Sequence, residues 1–535
     1  MAGALHDGRT SLYYSGMDCD VLVIGSGHNG LTAAAYLAKW GYRVVVLERR
    51  DTIGGAVCTE EMFGGFRMDV GGSAHFMIHH TPIVDDLELR RYGLEYIELD
   101  PFMSAPFPDG SSVSFYRDLD ATCESIARLN EHDADAYRRF IERWQPLNEA
   151  IFEMFLKKPS MRNFGSTVLL RKFSSSRSDR NDLLRSLFKS YGRLINETFV
   201  DDRVRAALAW WGAQSGPPPI DAVSAEFIGW HSVIHKRGPA RPKGGSGMLT
   251  QALAAYIRDH GGTVLADHEV AEILVESDRA VGARTVSGEV FTAKRVISNA
   301  HVWVTFLKLL DGWTPPDLRK RVGQILVGNG FGMVVRAAMD RLPDYAITDG
   351  DKPGMLRGLQ LLCPTTQYLN DAYADYLRGE PSQDPAVVAM TFSAIDPTLA
   401  PAGKHTLFLW GQYYPYRLRS GLDWDAITAR EAQKLFRVID RFAPGTSDAL
   451  IDMYIQTPPV IEAKHNMPNA NVMHVEMLID QMFMWRPIPE LAQYKTPLRD
   501  LYLASAGMHP GGGIFGAPGY NCAHAVRGSL RRRLF

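Results

Sequence analysis

Three glycines and one acid are spaced for dinucleotide chemistry. Gly25, Gly27 and Gly30 make a G-x-G-x-x-G turn, and Glu48 ends the next apolar run. Gly25 permits the tight turn, Gly27 lets backbone approach a pyrophosphate, and Gly30 lets a helix pack close to a strand. Glu48 can accept a hydrogen bond from a ribose hydroxyl. Six residues past the acid stands a second pair, Gly54 and Gly55. A glycine-dense stretch at 507–519 offers another cradle rich in backbone N–H groups, suited to an anionic or electron-rich ligand. His75 and His509 each adjoin glycines. Either can serve as a base, or hold backbone in place. Arg241, in a glycine-rich turn, lines a channel or fixes its loop. His79 with His80, and the i,i+4 pair His231 and His235, have the chemistry of metal ligands. No carboxylate or cysteine pattern accompanies them, so no metal site is expected.

The elements that must carry these residues are legible around them. Residues 20–24 read as a strand, 31–40 as a helix closed by Gly41, and 44–47 as a second strand, which is a βαβ unit. Residues 94–117 read as hairpin material turning at Pro108, Asp109 and Gly110. Residues 119–215 are helical by pattern and stop at Gly216, Pro217, Pro218 and Pro219. A helix at 248–260 and strands at 263–266, 270–275, 280–286 and 290–297 return the chain to the nucleotide domain. A strand at 501–506 does so again, just before the second glycine cradle.

The chain has 535 residues, 58 basic and 60 acidic side chains and a formal charge of −2. Its length suffices for two or three domains, and nothing global suggests nucleic acid. Five cysteines without a C-x-x-C pair argue against a disulfide framework and fit a reducing compartment. Residues 1–16 have no apolar stretch long enough for a signal peptide, so a disordered leader or an early start codon is expected. No window is long and apolar enough to span a bilayer. From Lys157 to Arg193, ten basic residues face only Asp179 and Asp182, with apolar side chains interleaved. That stretch reads either as solvated helices or as a patch for anionic lipid.

Residues 20–55, 66–75, 240–300 and 501–523 together resemble the phytoene-desaturase-like FAD-dependent oxidoreductases. Segments 71–75, 215–219, 240–247, 327–332, 471–477, 480–482 and 509–513 most resemble the bacterial desaturase-type β-carotene ketolases. The resemblance implies an α/β fold: a Rossmann-like FAD-binding domain of the glutathione-reductase/amine-oxidase type, a mixed-sheet substrate domain and a helical subdomain. The expected organisation is a leader at 1–16; a discontinuous FAD-binding domain at 17–93, 225–300 and 495–535; a substrate domain at 94–118 and 301–494; and a helical, membrane-contact candidate at 119–224.

The same resemblance carries FAD binding onto Gly25, Gly27, Gly30, Glu48, Gly54, Gly55 and Gly71. Val270 would border the adenine, Ala300 the phosphates, and Gly513, Ile514 and Gly516 the isoalloxazine. His75, His509 and Arg241 are the candidate catalytic side chains. The aromatic and apolar residues of 410–416 and 482–485 are candidates for a carotenoid tunnel, or plain core. No second complete nucleotide fingerprint exists, so O₂ or a membrane quinone is the expected electron acceptor. The implied reaction converts the β-carotene ring CH₂ at position 4 to a ketone, in the cytoplasm at a membrane surface. Carotenoid desaturation or isomerisation, a prenyl-lipid escort role and amine oxidation remain open alternatives.

Overall fold

The computed structural model describes residues 18–169, 177–419 and 421–531. The leader at 1–16 lies outside them, as do Leu170, Arg171, Lys172 and Phe173 of the basic stretch and the residues after 531. Two seven-stranded sheets organise the described chain.

β-Branched and apolar runs build the first sheet. β1 (Asp18–Ile24) and β2 (Val44–Leu47) are bridged by helix α1 (His28–Lys39), which is buried from Asn29 to Ala38. β1 runs parallel to β2 and to Val290–Ser298, with Val23 opposite Val46 and Ile297. Thr263–Leu265 extends the sheet beyond β2. Leu501–Leu503 pairs in parallel with Val290–Ser298, so stretches nearly five hundred residues apart meet in one sheet. The strand expected at 501–506 ends at Leu503 because a turn begins there: Met508 N–H donates to Ser505 O at 2.9 Å.

The second sheet runs in the order Leu450–Gln456, Gly332–Met339, His405–Gln412, Val387–Met390, Leu359–Leu362, Met103–Pro106, Ser112–Phe115. Its last two strands are the expected hairpin, turning after Phe107, whose N–H donates to Ser111 O. Period-two alternation gives the sheet two faces. Met333, Val335, Leu407, Leu409 and Ala389 pack against the helix Trp424–Phe442. The alternate residues face the cavity described below.

Helices dominate the described residues of 119–169 and 177–213, with caps from the Asp118, Asn130, Ser190 and Asp201 side chains. They enclose a core around Tyr137, Trp144 and Trp210, which Phe227, Ile228, Val233 and Ile234 join. In the basic stretch, Lys157 pairs with Glu153, and Lys189 and Arg193 both pair with Glu197. These acids flank the stretch and offset part of its charge. Met161 and Phe188 are 67% and 70% exposed there. No helix of the described residues is long and apolar enough to cross a membrane. The five cysteines are buried and unpaired.

Candidate functional site

One cavity of about 450 Å³ is walled by both sheets. Gly25, Gly27, Glu48, Gly55, Gly71, Val270, Ala300, Gly513 and Ile514 line it. These residues come from four distant parts of the chain. Gly30, Gly54 and Gly516 stand behind the wall and shape it. A Cβ on Gly30 would lie 2.5 Å from Gly25 O and 2.9 Å from the Asn299 side chain. Gly54 (φ +117°) and Gly516 (φ +74°) hold left-handed turns against Thr250 and Ile83, a conformation that favours glycine.

The nucleotide end is organised by a carboxylate and a hydroxyl. Ser26 donates to Glu48 Oε2 from both N–H (2.9 Å) and Oγ (2.7 Å), while Gly54 N–H donates to Ser26 Oγ (3.0 Å). Glu48 Oε1 accepts from Arg50 N–H at 3.1 Å. The acid therefore ties the glycine turn to the second glycine pair, and its remaining lone pairs are available to a ribose. α1 begins at Gly27 with no side-chain cap and no acid in its first turn. Its first N–H groups and its dipole are thus available to an anion. His28, Asn29 and His474 line the cavity, yet His28 Nε2, Asn29 Oδ1 and His474 Nδ1 are buried without hydrogen-bond partners. Such orphans are uncommon in a finished interior. With the open helix terminus and the glycine cradle, they fit FAD.

The other end of the cavity is apolar. Register across the second sheet explains it: Gln456, Val334, Trp410 and Val388 are neighbours in one row, and Arg336, Phe408, Met390 and Leu359 in the next. Both rows line the cavity, joined by Phe76, Trp211, Trp230 and Phe331. The acids on the cavity wall are Glu48 and Glu269, both in the nucleotide domain. Arg336 is the buried cation of the apolar end. It donates to Asp69 O and Gln456 Oε1 and lies over the Phe408 ring, 5.0 Å from its centroid. Burial pulls its guanidinium down to about 10, so it keeps its charge at neutral pH. His465 Nε2–H donates to Val70 O at 3.0 Å, leaving a lone pair on its unpartnered Nδ1. Burial, with Arg336 and Arg50 nearby, pushes this imidazole down to about 3.

His75, Arg241 and His509 do not line this cavity. His75 Nδ1 and Nε2 share hydrogen bonds with Tyr96 (2.9 Å) and Ser246 (2.8 Å), and burial keeps the ring neutral by pushing it far down. Arg241 pairs with Asp69 at 3.2 Å, and Asp69 accepts from Ser246 N–H at 2.7 Å. This network fixes the 69–75 loop that carries Gly71. His509 Nε2–H reaches Met154 O at 3.4 Å, and burial pushes it to about 3. His231 and His235 both bond the Tyr137 hydroxyl, and no group of metal ligands exists among the described residues. Of the tunnel candidates, Trp410 lines the cavity. Tyr413, Tyr414 and Tyr416 do not, nor do Met482, Phe483, Met484 and Trp485.

Sequence reasoning missed Ser26, Asn299, Arg336, Gln456 and His465, and gave His474 no role. Arg336 had a signal: it is a lone arginine inside the apolar run Gly332–Met339. The others have none without the fold.

The model of the family "Flavin containing amine oxidoreductase" matches residues 30–339. Pyridine nucleotide-disulfide oxidoreductase domain-containing protein 2 of Mus musculus is 31% identical over 550 residues, covering 96% of this chain and 94% of its own. The neurosporene-forming phytoene desaturase of Cereibacter sphaeroides is 27% identical over 513 residues, covering 93% and 92%. The crystal structure of an oxidoreductase from Methanosarcina mazei superposes with a TM-score of 0.60 at 18% identity, over 96% of this chain and 100% of that one.

Proposed function

The chain belongs to the family of flavin-containing amine oxidoreductases, and from that premise we propose that this FAD-dependent oxidoreductase oxidises a long apolar polyene of the carotenoid class. The observation that carries the reading is the apolar floor formed by Val334, Trp410, Val388, Phe408, Met390 and Leu359. A protonated amine entering there would meet no carboxylate and would face Arg336. A neutral hydrocarbon meets aromatic faces and branched side chains, each fully covered side chain contributing about 1.5–3 kcal/mol.

Gly25, Gly27, Glu48, Gly55, Gly71, Val270, Ala300, Gly513 and Ile514 would hold the cofactor. Bound FAD supplies a two-electron acceptor for a hydride leaving an allylic carbon. The two sheet rows orient the polyene and exclude water from its length. Arg336 presents positive charge to the cavity, which favours negative charge developing on the acceptor side and requires the reacting polyene carbon to lie away from the guanidinium. His465 Nδ1 is a proton acceptor beside the apolar end of the wall. Its low basicity suits this role, because the hydrogen beside a polyene cation is itself strongly acidic.

The finer reading is ketone formation: an allylic ring CH₂ loses a hydride, water adds, and a second oxidation gives C=O, the electrons passing to O₂ or a quinone. The similarity to a phytoene desaturase favours a second reading, in which the cation loses a proton and a new C=C bond results. Exposed Met161 and Phe188 support work at a cytoplasmic membrane surface, where such substrates dissolve. Expression in a β-carotene-producing host separates these readings. New ketocarotenoids with a ketone oxygen from labelled water support the first. More unsaturated products in a phytoene-producing host support the second. Unchanged pigments in both hosts would overturn the carotenoid assignment, and a purified protein without a flavin absorption band would overturn the oxidoreductase reading.

A further inference from the structure

The loop at 471–477 is held in a strained shape that puts one imidazole on the cavity wall. His474 has φ +65°, a left-handed conformation uncommon for a residue with a side chain, although histidine adopts it more readily than most. The surroundings that hold it there are visible. The Arg486 guanidinium is fully buried and donates through Nη2 to Met473 O, Val475 O and Ala506 O at 2.8, 3.1 and 3.0 Å. It thus grips the residues on either side of His474 and pins them to the end of the first sheet. His301 Nε2–H donates to His474 O at 2.7 Å, and His301 Nδ1 accepts from Trp303 N–H. His474 N–H donates to Asn471 O at 2.9 Å. Every backbone group at this position is committed, while His474, which lines the cavity, has no hydrogen-bond partner at its buried ring Nδ1.

The loop that carries this imidazole is tied to the segment beside the glycine turn. Asn299 packs against Gly27, within 2.7 Å of where its Cβ would stand, and His301, two residues on, holds His474. His28, which lines the same cavity, is the first residue of α1, and its Nε2 is also unpartnered, as is the buried Oδ1 of the next residue, Asn29.

We propose that His28 and His474 form an imidazole clamp on the diphosphate of FAD, and that FAD binding is coupled to proton uptake by this pair. The proposal rests on FAD as the cofactor and goes beyond it. Without ligand both rings are neutral at pH 7. Burial lowers His28 to about 4. Burial, then the charges of His301, Arg486 and His28, lower His474 further. The carboxylate near this group, Glu476, acts on Arg486. A diphosphate brings the negative charge that the site lacks. It raises both imidazoles towards and above their ordinary value, so each changes from an unsatisfied ring to a charged donor.

The sign of the linkage follows. Between the low ligand-free pKa and the raised ligand-bound one, binding takes up protons and affinity falls as pH rises, by about tenfold per unit for each proton taken up. Titration calorimetry of the flavin-depleted full chain at pH 6–8, in buffers of different ionisation enthalpy, reads this directly. Uptake of about one to two protons is expected with FAD and with ADP, and none with riboflavin, which has no phosphate. His474→Gln and His28→Gln keep a neutral donor and should each lower the uptake and the pH slope. Wild-type protein that binds FAD with no proton uptake, or variants that leave the uptake unchanged, would overturn the clamp. Equal uptake with riboflavin would move the linkage to the flavin end and also overturn it. No FAD binding by wild-type protein would overturn the cofactor assignment itself, and the clamp with it.

Discussion

Alanine at Gly30 and alanine at Gly528 are the same substitution in a helix interior, and the structure gives them opposite signs. Both positions lie in long helices, α1 and Ala517–Arg531. Each gains about 0.5–1 kcal/mol from the lower backbone entropy of alanine. At Gly528 the new methyl meets nothing within 4 Å, so that gain survives. At Gly30 it would lie 2.5 Å from Gly25 O and 2.9 Å from Asn299 Cβ and Cγ. An ordinary carbon contact needs ~3.5 Å, so the overlap approaches one ångström and falls on backbone that cannot rotate away. Relief requires α1 to move from the turn, at about 1–3 kcal/mol for overpacking of this kind. The same movement spoils the cradle. Gly30→Ala is therefore expected to lower the melting temperature by a few degrees and weaken FAD affinity by about ten- to a hundredfold, a loss of about 1.4–2.8 kcal/mol. Gly528→Ala should raise the melting temperature slightly and leave affinity alone. Differential scanning calorimetry and flavin titration check both. A Gly30→Ala protein that binds FAD as wild type does would refute the claim that this glycine is required by close packing.

Three further outcomes follow, two from buried polar groups and one from the apolar floor. Burial raises Glu226 to about 8, above the 4.5 of an ordinary glutamate, with Oε2 unpartnered and Oε1 accepting from Trp230 Nε1 at 3.0 Å. Its contribution to stability is thus fully present below about 4.5 and falls as pH rises to about 8. Glu226→Gln should flatten that decline and add about 1–3 kcal/mol at pH 8, read by melts from pH 5 to 9. Arg336→Met removes the cation of the apolar end and should lower the flavin midpoint potential, with Arg336→Lys restoring most of it. An unchanged potential in spectroelectrochemistry would remove Arg336 from the electrostatics of the site. Met390→Glu puts a carboxylate in the apolar floor and should cut polyene turnover at least tenfold, about 1.4 kcal/mol in transition-state binding, while the flavin spectrum stays unchanged.

What the sequence revealed of this site was what is local. Gly25, Gly27, Gly30 and Glu48 are read from one βαβ unit because turn, helix dipole and acid all lie within thirty residues. The cradle at 507–519 was legible for the same reason. Arg336, Gln456 and His465 were not, because their place depends on strand register. Val334 faces the cavity and Val335 faces the opposite core, and alternation alone does not say which face meets a ligand. His75, Arg241 and His509 sit beside informative glycines, but adjacency in sequence says nothing about direction. The structure turns them towards Tyr96, Asp69 and Met154 instead.

The proposed function assigns the division of charge within the cavity a part in substrate selection. The acids on the wall, Glu48 and Glu269, belong to the nucleotide end. There they face a ligand rich in hydroxyl donors. Among the described residues, the sheet-floored end carries Arg336 and no carboxylate on the cavity wall. An ammonium substrate there loses its hydration without gaining a counter-charge, a cost of several kcal/mol in a buried setting. A neutral hydrocarbon loses nothing by the same transfer. Under the proposed function, substrate choice would be set by what the floor withholds as much as by what it offers. On the proposed reading, aromatic and aliphatic side chains would admit a polyene, and an ammonium group would find no counter-charge on the floor.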